Sequence, residues 1–150
     1  MTAALSNPAL SDLEVLLGDW DMALSGASFL PDPETVVHGR IEARPIEEGR
    51  LLTLRQHADP SGQPAATWVI GRDEAADGYC VLYGDGRGVS RRYEMTLSEG
   101  TWRMWRDDPS FSQRFEASVR SDRSQIVGTW QKRSAGGDWE HDFDVTYTRT

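Results

Sequence analysis

The sequence predicts an all-β fold: a single antiparallel up-and-down β-barrel of about ten strands with a short N-terminal helix. From residue 19 onward, apolar and polar residues alternate with period two, which is typical of strands with one buried and one wet face. Turn-forming Gly, Pro, Asp and Ser separate these runs, and the short connections make consecutive strands neighbours. A meander of short strands must hide its edges, and closure into a barrel does so.

The composition predicts one domain spanning residues 1–150, with residues 1–7 as a loose tail. A chain of 150 residues can bury roughly two thirds of its unfolded surface in one core. The net charge of −8 argues against a nucleic-acid partner, because phosphate binding needs clustered Lys and Arg. With Cys80 as the single cysteine, the chain has neither an intrachain disulfide nor a cysteine zinc site.

The sequence also indicates a compartment. No apolar run approaches the roughly 20 residues of a membrane span, so we expect no membrane partner. The N-terminus has no basic region and no apolar core, and therefore does not resemble a signal peptide. Together with the lack of disulfides, this predicts a cytoplasmic protein.

One helix is expected, before the first strand. Asn7-Pro8 can begin it, with proline at the first helical position, and Ser11 to Glu14 fits a capping box. Gly18 can end the helix. The apolar stripe that would face the core consists of Leu10, Leu13, Leu16 and Leu17.

The alternation places the strands at about 19–26, 35–44, 50–58, 65–72, 78–84, 88–97, 101–106, 110–119, 125–133 and 138–149. Directly opposite residues of an antiparallel pair share a face, and this rule selects registers. It predicts one inward layer of Leu97, Trp102, Phe115, Trp130 and Trp139. A second inward layer, with small residues that leave space, contains Ala117, Gly128 and His141.

Two short motifs at the ends of the predicted barrel carry a family resemblance. Gly18-Asp19-Trp20 opens the first strand after the helix, and Tyr147-Thr148-Arg149 ends the last one. This arrangement resembles the calycin superfamily: lipocalins, fatty-acid-binding proteins and bacterial lipocalin-like relatives of unassigned function. The resemblance implies that Gly18 forms the turn, that Trp20 forms the barrel floor and that Arg149 covers its ring. A guanidinium on an indole contributes roughly 0.5–2 kcal/mol. The resemblance also implies a cup for a small, mostly apolar ligand.

His141 is a candidate catalytic or ligand-binding residue because the alternation places it on the inward face. It could be a haem ligand, a general base or a hydrogen-bond anchor, or simply a core histidine with a satisfied partner. The haem-binding nitrobindins are related barrels, but their glycine-rich continuation is absent after Trp20, so we expect no cofactor and keep haem as an alternative. His38 and His57 fall in surface contexts, and the spacing of the three histidines predicts no metal site.

Four further inward residues could bind a polar head group: Arg91, Tyr93, Arg106 and Gln113. An inward arginine is costly unless it meets a carboxylate or a ligand anion. Fatty-acid-binding barrels use such an arginine and tyrosine for a carboxylate, an analogy at the level of the fold. Alternatively, both arginines reach water at the rim. The expected apolar walls of the ligand site are Trp68, Trp102 and Trp130.

The function these residues favour is an intracellular protein that binds a small hydrophobic or amphipathic molecule in an apolar cavity with a polar or anionic head-group site. Alternatives are a barrel enzyme of the isomerase, cyclase or dehydratase type using His141 and Tyr93, haem binding through His141, and a filled barrel acting through its surface. The segment Gly26–Glu34 could be a portal flap or a plug. A homodimer contact is a further alternative, unless the N-terminal helix covers the outward apolar residues Leu51, Val69, Cys80, Leu82 and Trp105.

Overall fold

The fold comes from a computed structural model that describes residues 4–28, 30, 32, 34–57, 64–75 and 77–150. Ten antiparallel strands form a closed barrel in sequence order, and the first strand pairs with the last. They are β1 (Gly18–Ser25), β2 (Val37–Ile46), β3 (Leu51–Gln56), β4 (Ala66–Arg72), β5 (Tyr79–Asp85), β6 (Ser90–Ser98), β7 (Thr101–Arg106), β8 (Phe111–Val119), β9 (Gln125–Ser134) and β10 (Glu140–Arg149). The predicted fold class is confirmed. The turn expected at Asp59–Gly62 lies outside the described residues.

The N-terminal helix is a 3-10 helix, Pro8–Leu16. It begins where predicted, because the Asn7 side chain accepts a hydrogen bond from the Ala9 N–H at 3.0 Å. Ser11 does not cap it, so the capping box is wrong. A 3-10 helix has three residues per turn, and a spacing of three therefore aligns one face. Leu10, Leu13 and Leu16 have this spacing, are buried, and close one end of the barrel.

The described part of the segment predicted as a loose tail is attached to the barrel. Leu5 is buried in the core. The backbone N–H of Ser6 donates to the carbonyl of Gly49 at 2.8 Å, and its hydroxyl donates to the carbonyl of Glu48 at 2.7 Å. These bonds hold residues 4–7 against the 3-10 turn Glu47–Gly49, which joins β2 to β3.

The predicted registers of β6 with β7 and of β8 with β9 are correct. Leu97 lies opposite Trp102, and Phe115 lies opposite Trp130. Between β7 and β8, however, Trp102 faces Ala117 instead of Phe115, a displacement of two residues. Since two residues is one strand period, the inward and outward faces are unchanged.

The longer β7–β8 connection explains this displacement. The hydroxyl of Ser112 donates to the backbone carbonyl of Asp108 and accepts from its N–H, each at 3.1 Å. The Asp108 carboxylate accepts from the backbone N–H of Ser110 at 2.9 Å. The pairing of β7 with β8 therefore ends at Arg106 and Gln113, and Ser112 pairs only with Arg133 of β9.

A β-bulge in β10 corrects the second predicted layer. His141 pairs with Gln131 and Phe143 with Trp130, so Asp142 is the extra residue between them. A bulge shifts the alternation by one residue. The predicted inward placement of His141 and Trp139 is therefore wrong, and both lie on the outer face. There Trp139 is flanked by Arg114 and Arg133, whose guanidinium carbons lie 4.1 and 4.7 Å from its ring centroid.

The space expected beside the small residues is also filled. A Cβ atom at Gly128 would lie 2.6 Å from a ring carbon of Phe115 and 2.7 Å from the Cβ of Ala117. The Phe115 ring therefore occupies the volume that a side chain at Gly128 would need. The middle of the barrel is a packed row of Met104, Phe115, Trp130 and Phe143, which lie opposite one another on consecutive strands.

At the closed end, Arg149 covers Trp20 as the resemblance implied. The guanidinium carbon lies 4.1 Å from the indole centroid. Arg149 also donates to the carbonyls of Leu17 at 2.6 Å and Val15 at 2.8 Å. Gly18 has φ +123, and a Cβ there would lie 2.6 Å from the guanidinium, so glycine is needed on both counts.

The outer face carries the apolar residues considered for a dimer contact. Leu82 is 54% exposed, and Cys80 is also exposed. The 3-10 helix closes the barrel end and leaves this face open. Within the described ranges, the chain has no helix of the length and apolarity needed to cross a membrane.

Candidate functional site

The end of the barrel away from the helix contains the polar interior. Arg106 ends β7, Gln113 lies near the start of β8, and Lys132 lies near the end of β9. Gln113 is directly opposite both Arg106 and Lys132. Each is two residues beyond the packed row of the barrel middle. The aromatic interior therefore changes to a polar one over a single strand period.

A buried hydrogen bond joins two of the predicted head-group residues. The hydroxyl of Tyr93 donates to the Oε1 atom of Gln113 at 2.5 Å, and both side chains are buried. Arg91 donates to the same oxygen at 3.4 Å and lies 5.1 Å from the ring centroid of Phe111. Burial raises the pKa of Tyr93, although the charges of Arg91 and Arg106 act in the opposite direction. Tyr93 therefore remains a neutral phenol that can donate a hydrogen bond.

Arg106 is the least satisfied member of this group. Its Nη2 atom lies 3.6 Å from the carboxylate of Asp108 in the β7–β8 connection. Its Nε atom is buried and has no hydrogen-bond partner in the described part of the chain. Buried donors in proteins are nearly always paired, so this N–H needs a partner, such as a water molecule or a ligand, that the described residues do not supply.

Asp142 also belongs to the site, although the alternation of residues predicts that it faces outward. The bulge turns it inward, where it is only 6% exposed. Its carboxylate lies 3.8 Å from the Nζ atom of Lys132, which donates to the Ser28 hydroxyl at 2.7 Å. The Ser28 N–H donates to the Asp142 carbonyl at 3.0 Å, which attaches the β1–β2 connection to the bulge. Burial raises the pKa of Asp142, and Lys132 opposes this effect.

That connection includes most of the predicted portal flap. Ala27 is buried with Leu24 and Val37, and Leu30 packs against this small cluster together with Phe143. Its described residues therefore form an apolar cover at the polar end of the barrel. Phe29 lies outside the described residues.

Aromatic rings line the interior next to the polar group. Trp68 lies with its ring centroid 4.5 Å from that of Tyr83, 5.6 Å from Tyr93 and 6.2 Å from Trp130. Tyr83 also donates to the carboxylate of Asp85 at 2.6 Å. Trp68 is only half-buried, and it connects the polar end of the barrel to the cavity below.

That cavity lies above the floor and has a volume of about 20 Å³. Its wall consists of Leu16, Trp20, Ile41, Leu54, Trp68, Trp102, Met104, Ile126 and Tyr147. Trp102 is 3% exposed, and its indole nitrogen has no hydrogen-bond partner among the described residues. Desolvation by burial strongly raises the pKa of Tyr147.

The outward position of His141 removes it from the interior site. Its Nε2 atom lies 3.1 Å from the Asp144 carboxylate, which accepts a bond from the Thr129 hydroxyl at 2.9 Å. His38 and His57 are exposed as well. Since no imidazole faces the barrel interior, these residues do not fit a haem held inside it by histidine. Of the two catalytic candidates, only Tyr93 lies inside.

Three residues of the site could not be recognised from the sequence: Asp142, Lys132 and Tyr83. Asp142 alternates with Phe143 as an outward residue would, and only the bulge brings it inside. Within the described ranges, no group of three or more His, Cys, Asp or Glu residues is placed to hold a metal ion.

Comparison with known structures supports the fold. Seventeen chains of solved structures match this one. One of them is the crystal structure of Rv2717c from M. tuberculosis, which matches with a TM-score of 0.60 and 13% sequence identity over 96% of this chain and 98% of that chain. No protein-family model and no curated protein matches the chain. At this identity the likeness shows a shared barrel fold.

Proposed function

We propose that this protein binds a small amphipathic molecule with an anionic head group inside a calycin-type barrel. The observation that supports this most directly is Arg106, a half-buried arginine whose buried Nε atom lacks a partner in the described structure. The neighbouring Tyr93 and Gln113 supply a buried phenol and amide at the same end. The Trp20–Arg149 contact at the floor supports the calycin part of the proposal.

The charges at the polar end favour an anion. Arg91, Arg106 and Lys132 contribute three positive groups, against the two carboxyls of Asp142 and of Asp108, which lies 3.6 Å from Arg106. Asp142 lies beside Lys132, and burial raises the pKa of its carboxyl. A carboxylate, sulfate or phosphate head group near Arg106 would accept charge-assisted hydrogen bonds from a guanidinium that has few other partners.

The ligand must displace interior side chains to enter. The floor cavity holds about 20 Å³, whereas sites for drug-sized ligands measure roughly 300–1,000 Å³. Trp68 lines this cavity and also contacts Tyr93 at the polar end, so its ring stands between the two regions. We propose that movement of the half-buried Trp68 ring joins the cavity to the head-group site.

Calorimetric titration tests the proposal with three probes of equal chain length: decanoate, decanol and decyltrimethylammonium. We expect decanoate to bind more tightly than decanol, and the cationic probe not to bind. Arg106→Gln should weaken decanoate binding by about tenfold, because a hydrogen bond to a charged group is removed. Arg103→Gln is the matched control, since Arg103 lies on the same strand but on the outer face, paired with Glu116.

Two results would contradict the proposal. If none of the probes binds, the filled barrel has no ligand site of this class. If decanoate and decanol bind equally and Arg106→Gln behaves like Arg103→Gln, the interior arginine does not recognise an anionic head group.

A further inference from the structure

The floor cavity contains a second polar position that the head-group site does not use. Trp102 is nine-tenths buried, lines this cavity, and has an indole N–H without a partner in the described structure. The Tyr147 ring lies 6.2 Å from the Trp102 ring and lines the same cavity. Its hydroxyl, like the Trp102 indole, makes no hydrogen bond to another described residue. Of the other lining residues, two carry a polar side-chain atom: the indole of Trp20, which donates to the Leu16 carbonyl at 2.8 Å, and the indole of the half-buried Trp68.

The buried Trp102 N–H beside the Tyr147 hydroxyl favours a ligand of a particular chemistry. An indole N–H can only donate, whereas a phenol can donate and accept. An oxygen that accepts from Trp102 and exchanges a hydrogen bond with Tyr147 would satisfy both groups. Leaving the buried Trp102 N–H unpaired is costly, so a ligand that supplies this oxygen is distinguished from one that ends in a methyl group.

The two polar positions lie at a defined separation. Trp102 and Arg106 are four residues apart on β7, and both point inward. At the rise of an antiparallel strand, their Cα atoms are about 13 Å apart. The interior between them is apolar. Met104 lies on the same strand, Phe115 lies opposite Met104 on β8, and Trp130 lies opposite Phe115 on β9. An extended medium-chain acid spans this separation.

We infer that the preferred ligand is a medium-chain acid with an oxygen at or near the far end of its chain, such as a hydroxy acid. This inference rests on the proposed function and deepens it. The acid group meets Arg106 at the polar end, the apolar chain contacts Trp130 and Phe115, and the distal oxygen meets Trp102 and Tyr147. Trp102 and Tyr147, at the floor of the barrel, therefore discriminate between a plain acid and one with a distal oxygen.

The test is a titration of the full chain with decanoate and ω-hydroxydecanoate. We expect the hydroxy acid to bind about tenfold more tightly, because it pairs groups that the plain acid leaves unpaired. In Tyr147→Phe, which keeps the ring and removes only the hydroxyl, and in Trp102→Phe, this preference should fall towards unity. Trp105→Phe is the matched control, because Trp105 lies on β7 with Trp102 but faces outward opposite Glu94.

Each outcome bears on a different claim. If both acids bind with equal affinity, the proposed function stands and the distal subsite is overturned, since a water molecule between Trp102 and Tyr147 would then be sufficient. If the preference exists but survives in both interior variants, the distal oxygen lies elsewhere and the inference is again overturned. If neither acid binds, the proposed function itself fails. The wild-type comparison decides the matter even if Trp102→Phe does not fold.

Discussion

The guanidinium of Arg149 lies 4.1 Å from the ring centroid of Trp20 and donates to two carbonyls of the chain just before β1. Arg149 of the last strand therefore holds the start of the first strand in place at the closed end of the barrel. We expect Arg149→Lys to lower the free energy of unfolding by about 2–4 kcal/mol, because a lysine cannot make the paired donation or the same stacking. Chemical denaturation measures this, and Arg120→Lys, at an exposed arginine, is the control. Equal stability of the two variants would show that the contacts of Arg149 do not stabilise the barrel.

Gly128 has no room for a side chain, because the Phe115 ring lies 2.6 Å from the position of its absent Cβ. Gly128→Ala should therefore destabilise the protein by about 1–3 kcal/mol through overpacking. Phe115→Leu in the same chain should recover part of this loss, since it removes the ring in conflict. Gly84→Ala is the control, with its nearest neighbouring atom at 3.9 Å. If both alanine variants unfold alike in denaturant, the close packing of Phe115 on Gly128 is not a constraint.

The stability of the protein depends on pH through Asp142. Burial raises its pKa above the ordinary value of 3.8, so the folded protein holds this proton more tightly than the unfolded chain. Its contribution therefore becomes more favourable as pH falls from neutral through the raised pKa towards 3.8. We expect Asp142→Asn to gain stability relative to the wild type at neutral pH, and this gain to shrink as the pH falls. Denaturation curves over a pH series measure the difference. A gain that grows towards acid pH would contradict the assignment.

The stability of the protein also depends on pH through its four tyrosines. Tyr79, Tyr83, Tyr93 and Tyr147 each have a pKa raised above 10.0, with burial as the largest cause. A raised pKa means that the contribution of each phenol to stability is present below 10.0 and is lost as the pH rises towards the folded value. Absorbance titration should show less tyrosinate near pH 10.0 in the native protein than in denaturant, where half of the tyrosine is ionised. Early ionisation of one native tyrosine would show that its ring is not buried.

The alternation of residues was sufficient to predict all ten strands and most faces, because a half-buried antiparallel strand leaves a period-two pattern wherever it packs. It failed at β10. Trp139 and His141 continue the apolar alternation of Phe143 without a break, so the bulge at Asp142 leaves no mark in the residue types. Since a bulge reverses the faces before it, two predicted interior residues moved outside and one acidic residue moved inside.

The candidate site was partly predictable for the same reason. Arg91, Tyr93, Arg106 and Gln113 lie on strands with uninterrupted alternation, and the structure brings them together at one end. The cavity volume was not predictable, because the Phe115 ring covers Gly128 and only the three-dimensional packing shows this. Lys132 belongs to the site because it lies opposite Gln113. This pairing depends on the strand register, which residue types alone do not determine.

The most direct test of interior binding is a crystal structure of the protein grown with ω-bromodecanoate, in which anomalous scattering locates the bromine. If the acid binds inside the barrel, we expect one strong bromine peak near Trp102 and Tyr147, with the carboxylate beside Arg106 and the Trp68 ring displaced. No bromine inside the barrel, or a peak only on the outer face near Trp105, would contradict it.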